Sequence, residues 1–304
     1  HAEHALRARI VGNIKDAVEL FDETLRLLSA LLPAGHPNRL TVAGNLAAAR
    51  RDYGDYAIAE SMAREVLALQ RAQVTPNPLG VANAEGRLAL IMAYRGFLEE
   101  AEQGLERALA LERTNLAPTH SSISTTMFNR GVIAALRGRH RLGLARLDSS
   151  FALLRRSGGG DTDTLPIMDF QAMILLDLGR VAEASAMLRS FDRQMRRTFP
   201  IGNPYLAIHD EQLGTAALLE RRPSEALRHF SNATEARRTR VSASNPELAG
   251  AECGTALALW SMGRVAEATP AVRDACTRYR QLGIHSRALV RIASGARDAG
   301  SDAR

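Results

Sequence analysis

One short turn returns along the whole chain and restricts the folds open to it. It reads Gly12-Asn-Ile-Lys-Asp-Ala17, Gly54-Asp-Tyr-Ala-Ile-Ala59, Gly96-Phe-Leu-Glu-Glu-Ala101, Gly138-Arg-His-Arg-Leu-Gly143, Gly179-Arg-Val-Ala-Glu-Ala184, Arg221-Arg-Pro-Ser-Glu-Ala226 and Gly263-Arg-Val-Ala-Glu-Ala268. Successive turns start 42, 42, 42, 41, 42 and 42 residues apart. Self-similarity at such a period means that each unit is one supersecondary element. It cannot close a core alone and must stack on its neighbours.

Two columns of small residues set the register. Five residues after each turn start stand Ala17, Ala59, Ala101, Gly143, Ala184, Ala226 and Ala268; seven before it stand Ala47, Ala89, Gly131, Ala172, Gly214 and Ala256. Small residues on facing antiparallel helices let the two axes approach closely, and larger ones would force them apart. The Gly that opens the turn supplies the left-handed conformation that ends the first helix.

These offsets resemble the tetratricopeptide repeat, with its small residue, Gly and Ala at the passage from helix A to helix B. The long unit and the segment Asn45-Leu46-Ala47, echoed in part by Asn129-Arg130-Gly131, are similar to the kinesin-light-chain subtype. The resemblance spans nearly the whole chain. It implies an all-α, right-handed superhelical solenoid of antiparallel helix pairs. For function it implies little, because one fold hosts many jobs.

On this register residues 1–32 are a truncated first repeat, 33–282 an array of six helix pairs, and 283–304 a C-terminal capping helix and tail. Gly283 is the expected stop of the last helix B. The first residues read as a helix A cut in mid-array, so a longer parent chain is expected. Inter-repeat loops fall at Leu32–Pro37, Val74–Pro78, Asn115–Ser121, Ser157–Thr164, Thr198–Pro204 and Val241–Pro246. Asn77-Pro78, Asn203-Pro204 and Asn245-Pro246 are helix starts, with Asn as N-cap and Pro at the first helical position. The loop with Gly158-Gly159-Gly160 reads as a mobile linker. It lacks the Gly-Lys-Ser/Thr of a phosphate-binding loop, and Asp161 with Asp163 is too little for a calcium loop.

Catalytic arrangements are missing from the sequence. No GxSxG, Walker A, kinase loop or HExxH is present, and His1, His4, His36, His120, His140, His209, His229 and His285 are scattered over different units. The chain therefore reads as a non-enzyme without cofactor or metal. Cys253 and Cys276 form no zinc or CxxC pattern; they read as small buried hydrophobes, and pairing depends on their Cα separation. No run of about 18 apolar residues exists to span a membrane. Lys15 is the only lysine beside 38 arginines, which reads as codon bias in a GC-rich bacterial genome. The arginines gather on helix B, as in Arg155, Arg196, Arg237 and Arg238, where a solvated convex face is expected. Aromatics are only 5% of the chain, and none interleave with these arginines to stack on bases, which argues against nucleic acid.

The resemblance points instead to a concave wall made by helices A. Its candidate partner-binding residues are Asn45, Arg87, Leu90 and Tyr94, then Phe128, Asn129 and Val132, then Phe170, Met173 and Asp177, and finally Gln212, Leu219, Leu257 and Trp260. Arg51, Asp52, Leu176 and Leu218 stand in the same columns. The Lys/Arg/Asn set of the chaperone-tail carboxylate clamp is absent. The middle and C-terminal part of the wall is apolar beyond what packing needs, so an amphipathic helix or extended peptide is the expected ligand. The functional expectation is a sensory or interaction domain of a larger bacterial signalling protein. It would be kinase-linked, in the cytoplasm or, if it follows a membrane segment, in the periplasm. The alternatives are a stand-alone scaffold and an Arg-rich binder of an acidic polymer.

Overall fold

The computed structural model describes residues 2–238, 240–243, 245–281 and 286–301. Gly283 and His285, like His1, lie outside them. All described secondary structure is helical. The chain divides into two units. The first comprises His1–Gly160 with Arg240–Ser242, and the second comprises Asp161–Thr239 with Ala243–Arg304. Unit one holds α1 (Ala2–Ile10), α2 (Ile14–Leu31), α3 (Pro37–Tyr53), α4 (Tyr56–Arg71), α5 (Pro78–Tyr94), α6 (Leu98–Asn115), α7 (Ser121–Leu136) and α8 (His140–Arg156). Unit two holds α9 (Asp161–Asp177), α10 (Val181–Thr198), α11 (Pro204–Leu219), α12 (Pro223–Arg238), α13 (Pro246–Ser261), α14 (Val265–Arg280) and α15 (Arg287–Ser301).

Every turn closes the same way. The N–H of the residue after the turn start donates to the carbonyl five residues back: Asn13 to Ala8, Asp55 to Arg50, Phe97 to Met92, and so on to Arg264 and Leu259, at 2.8–3.0 Å in these four. This 6→1 bond needs a left-handed residue between its partners. Gly54 takes φ 114°, and Arg221 takes φ 59° where its equivalents are Gly. The small columns are close-packed as read. Ala17, Ala59, Ala101, Ala184, Ala226 and Ala268 are all fully buried, and Ala5 continues the other column into α1. A Cβ on Gly214 would lie 2.8 Å from the Phe230 ring.

Asn77, Asn203 and Asn245 cap α5, α11 and α13 with their side chains. His36 and His120 do the same for α3 and α7, accepting from Asn38 N and Ser122 N at 3.3 and 3.2 Å. Two of the scattered histidines are thus helix caps. The glycine loop is shorter than expected. Gly158 ends α8 in the left-handed region, and α9 already begins at Asp161. Asp161 and Asp163 therefore sit in a first helical turn, where the helix dipole favours carboxylates.

Cys253 on α13 and Cys276 on α14 form a disulfide with Cα atoms 4.7 Å apart. They sit inside the apolar cluster of unit two with Phe230, Leu257 and Val272.

Candidate functional site

Within each unit, successive odd-numbered helices touch: α3 with α5 and α5 with α7 in unit one, and α9, α11, α13 and α15 in sequence in unit two. Even-numbered helices do not pack on one another to that extent. Within each unit the odd-numbered helices therefore form the crowded layer, and their columns that face away from the even-numbered helices form a wall.

The wall of unit one carries charge. Asp52 on α3 accepts from Arg51 Nε at 2.8 Å and from Arg9 Nε of α1 at 2.6 Å. Arg87 of α5 donates to the Gly44 carbonyl of α3 at 2.8 Å, beside half-buried Asn45. The Arg51 guanidinium lies 5.7 Å from the centre of the Tyr94 ring, which stacks on Tyr56 at 5.5 Å. Burial pushes the Asp52 carboxyl up, but the charges and hydrogen bonds of Arg51 and Arg9 outweigh it and hold Asp52 below the usual range. Burial lowers Arg87 to about 10, the charges of Arg9 and Arg51 add to that, and Asp52 opposes it. Leu90, Phe128 and Asn129 are half-buried along the same wall, while Val132 is 9% exposed and packs inward. Of the residues read from sequence, Asn45, Arg87 and Tyr94 come together here, with Arg51 and Asp52. Arg9 is the member that reading missed. Its signal was present: it precedes Gly12 by three residues, as Arg51 precedes Gly54.

The wall of unit two is different. Met173 and Gln212 are buried, and Leu257 is 1% exposed and belongs to the core. Phe170, Leu219 and Trp260 are half-buried. Trp260 and Leu218 pack against the cluster that also takes Leu289 and Ala293 of α15. Asp177 accepts the N–H of Ala288 at 2.8 Å and the hydroxyl of Ser286 at 3.2 Å, so it caps α15. Of the apolar residues on this wall, Leu218, Leu257 and Trp260 pack in one cluster with Leu289 and Ala293 of α15. Leu257 and Asp177 thus serve packing and capping.

Unit two also contains a polar network built from residues that the sequence reading kept apart. His209, fully buried, bonds Asp169 at 2.8 Å through Nδ1 and Asp192 at 3.2 Å through Nε2. Arg196 joins Asp192 to Asp210, and Asp210 holds His229 Nδ1 at 2.7 Å. Burial opposes the charge on His209, but its bonds to Asp169 and Asp192 prevail and raise it to about 9. Arg237, expected on a solvated face, is buried against Glu211 and Glu247. Burial lifts Glu211 to about 7 although the Arg237 charge works against it. In unit one Glu102 is likewise enclosed by Arg137, Arg139 and Arg146. Much of the arginine content is therefore structural. One of these pairs does follow the repeat: Arg196 with Asp210 stands at the same offsets as Arg71 with Glu85 and Arg238 with Glu252, whereas His209 and Asp169 stand in different columns.

Among the described residues no three His, Cys, Asp or Glu side chains are grouped as a metal site. Nor is any described helix long and apolar enough to cross a membrane.

The tetratricopeptide-repeat family model matches residues 4–72. No curated protein matches the chain in sequence. Among solved structures, the chain is similar to NprR in complex with its cognate peptide NprX, with 12% identity over 99% of this chain and 84% of that one and a TM-score of 0.65. It is similar to a Rap protein complexed with Competence and Sporulation Factor, with 10% identity over 99% and 86% of the two chains and a TM-score of 0.65. The apo form of the quorum sensor NprR from B. thuringiensis matches at 12% identity over 98% and 80%, with a TM-score of 0.56. At these identities the likeness is one of fold. The fold is an all-α helical-repeat solenoid.

Proposed function

We propose that this tetratricopeptide-repeat protein is a protein-interaction module that receives a peptide segment on the odd-helix wall of unit one. The observation that carries the reading is the contrast between the two walls. In unit two α15 packs over the apolar wall and is capped from it by Asp177. In unit one Leu90, Phe128 and Asn129 are half-buried on α5 and α7, which pack in sequence with α3 and its polar cluster. Apolar anchors flanked by a few fixed polar groups suit an extended or helical peptide. Two structures of the same fold are complexes, one with the peptide NprX and one with Competence and Sporulation Factor, which supports this ligand class. A helical-repeat fold of this kind serves typically as a non-catalytic scaffold. Within that role we assign the chain to sensing or regulation in a larger signalling protein; linkage to a kinase rests on the family resemblance alone. The disulfide between Cys253 and Cys276 favours an oxidising compartment.

The test is panning of a random dodecapeptide display library on the purified chain. An enriched pool that is lost with Leu90→Glu plus Phe128→Glu, and kept with Ile58→Glu on α4, supports the wall. A pool indifferent to the double variant refutes it, and no enriched pool at all refutes the peptide reading.

A further inference from the structure

One gap between even-numbered helices is open where the repeat elsewhere closes it. An arginine late in an even-numbered helix meets an acid 14 residues on, in the next odd-numbered helix: Arg71 with Glu85, Arg196 with Asp210 and Arg238 with Glu252. The same acid reaches the even-numbered helix that follows. Glu85 also accepts from Arg107 of α6 at 3.0 Å, Asp210 bonds His229 of α12 at 2.7 Å, and Glu252 accepts from Arg278 of α14 at 2.8 Å. In each case one carboxylate bridges two neighbouring even-numbered helices.

Between α6 and α8 that bridge is missing. Arg113 stands in the arginine column, but Met127 takes the acid's place and Ser149 stands where Arg107 stands one repeat earlier. Among the described residues no carboxylate pairs with Arg113; the adjacent Glu112 accepts from Thr126 Oγ1 at 3.0 Å instead. The gap holds a cavity of about 620 Å³, lined wholly by residues of unit one. Buried Ile123 and half-buried Met127 and Leu153 give it an apolar lining. Arg113, Arg156 and Asp148 also line it, so two guanidiniums stand against one carboxylate. Arg156 Nε donates to the Ala152 carbonyl at 3.3 Å, and Ser149 Oγ donates to the Ala145 carbonyl at 2.8 Å.

We propose that this cavity binds an amphipathic monocarboxylate, a small molecule with one carboxylate and an apolar body. The carboxylate takes the place that Glu85, Asp210 and Glu252 fill in the other gaps, with Arg113 as its partner. A planar guanidinium fork matches a carboxylate with two parallel hydrogen bonds. The apolar body lies on Ile123, Met127 and Leu153. A volume of this size with a mostly apolar lining and a few polar groups is that of a small-molecule site. The excess of one positive charge in the lining suits a single negative charge, and Asp148 repels a polyanion. The cavity shares no residue with the wall of Leu90 and Phe128, so it stands apart from the peptide reading.

The experiment is calorimetric titration of the chain with decanoate, below its micellar concentration, and with 4-phenylbutyrate. At least one acid should bind, and its neutral amide should bind about fivefold more weakly, the size of an ion pair at a partly exposed site. Arg113→Gln should weaken the acid about fivefold and leave the amide unchanged, because both changes remove the same pair. Met127→Glu restores the acid of the other gaps, so it should close the site to the acid without lowering the melting temperature. Should Met127→Glu fail to fold, Arg113→Gln carries the test, since Arg113 is exposed. Arg238→Gln, in the same column of another repeat, should leave binding unchanged. Binding by neither acid, an acid that binds no better than its amide, or binding indifferent to Arg113→Gln overturns the proposal. Displacement of the bound acid by a library-selected peptide would put a peptide carboxylate in the cavity and overturn the small molecule as its source. The panning test of the wall is read separately, so either reading can fail alone.

Discussion

Asp177 and Ala288 are joined by a 2.8 Å hydrogen bond between positions 111 residues apart. The carboxylate at the end of α9 caps the start of α15, and Ser286 Oγ adds a second bond to it at 3.2 Å. A side chain that sequence placed among ligand contacts thus anchors the terminal helix of unit two.

Asp177→Ala removes this cap. A lost N-cap costs about 1 kcal/mol. The expected result is a drop of that size in unfolding free energy, with faster proteolysis within α15. Circular dichroism melts and limited trypsin digestion read both. An unchanged α15 cleavage rate contradicts the capping role.

The buried groups of unit two make its stability fall as pH rises. His209 titrates at about 9 in the folded chain against its ordinary 6.5, so its contribution is complete below 6.5 and lost as pH passes about 9. Glu211 titrates at about 7 against 4.5, so the folded form binds its proton more tightly and stability declines between those values. Urea midpoints from pH 5 to pH 10 should therefore fall throughout. His209→Gln should lower stability by about 3 kcal/mol, since it leaves Asp169 and Asp192 without their buried partner. It should also flatten the curve above pH 7 while sparing the part due to Glu211.

Cys253 and Cys276 close a loop of sequence separation 23. The entropy of such a loop is worth about 3 kcal/mol. Dithiothreitol should lower the melting temperature of the native chain, and Cys253→Ala plus Cys276→Ala should remove that response. Thiol titration of the untreated, unfolded protein should find no free cysteine.

Arg221 occupies the left-handed turn position that glycine fills in the other six repeats. Its Cβ costs about 1–2 kcal/mol there, and glycine returns some of the gain as unfolded-chain entropy. Arg221→Gly should raise stability by about 0.5–1 kcal/mol in chemical denaturation. A decrease would mean that the Arg221 side chain contributes more than its backbone loses.

The fold was legible because it is written in local signals: the left-handed Gly54, the small pair Gly214 and Ala226, and the Asn77-Pro78 start. Each acts through neighbours or through a column at fixed spacing. The charged wall was legible in part, since Arg51, Asp52, Arg87 and Tyr94 stand at register positions. Arg9 was missed because the first unit looked truncated. The fate of Trp260 and Leu257 was not legible. Whether an apolar column meets a ligand or the chain's own α15 depends on how far the array curves, and no local pattern carries that. The link between His209 and Asp169 was hidden for a similar reason, as their positions share no column. Burial by α10 and α11 gave two ordinary residues a joint role.

The most direct test of the account is photo-crosslinking of a library-selected peptide to the chain with benzoylphenylalanine placed at Leu90 on α5 or at Ile58 on α4. The account predicts capture at position 90 that unlabelled peptide suppresses, and none at position 58. Capture at 58 but not at 90 would put the ligand on the outer helices and contradict it.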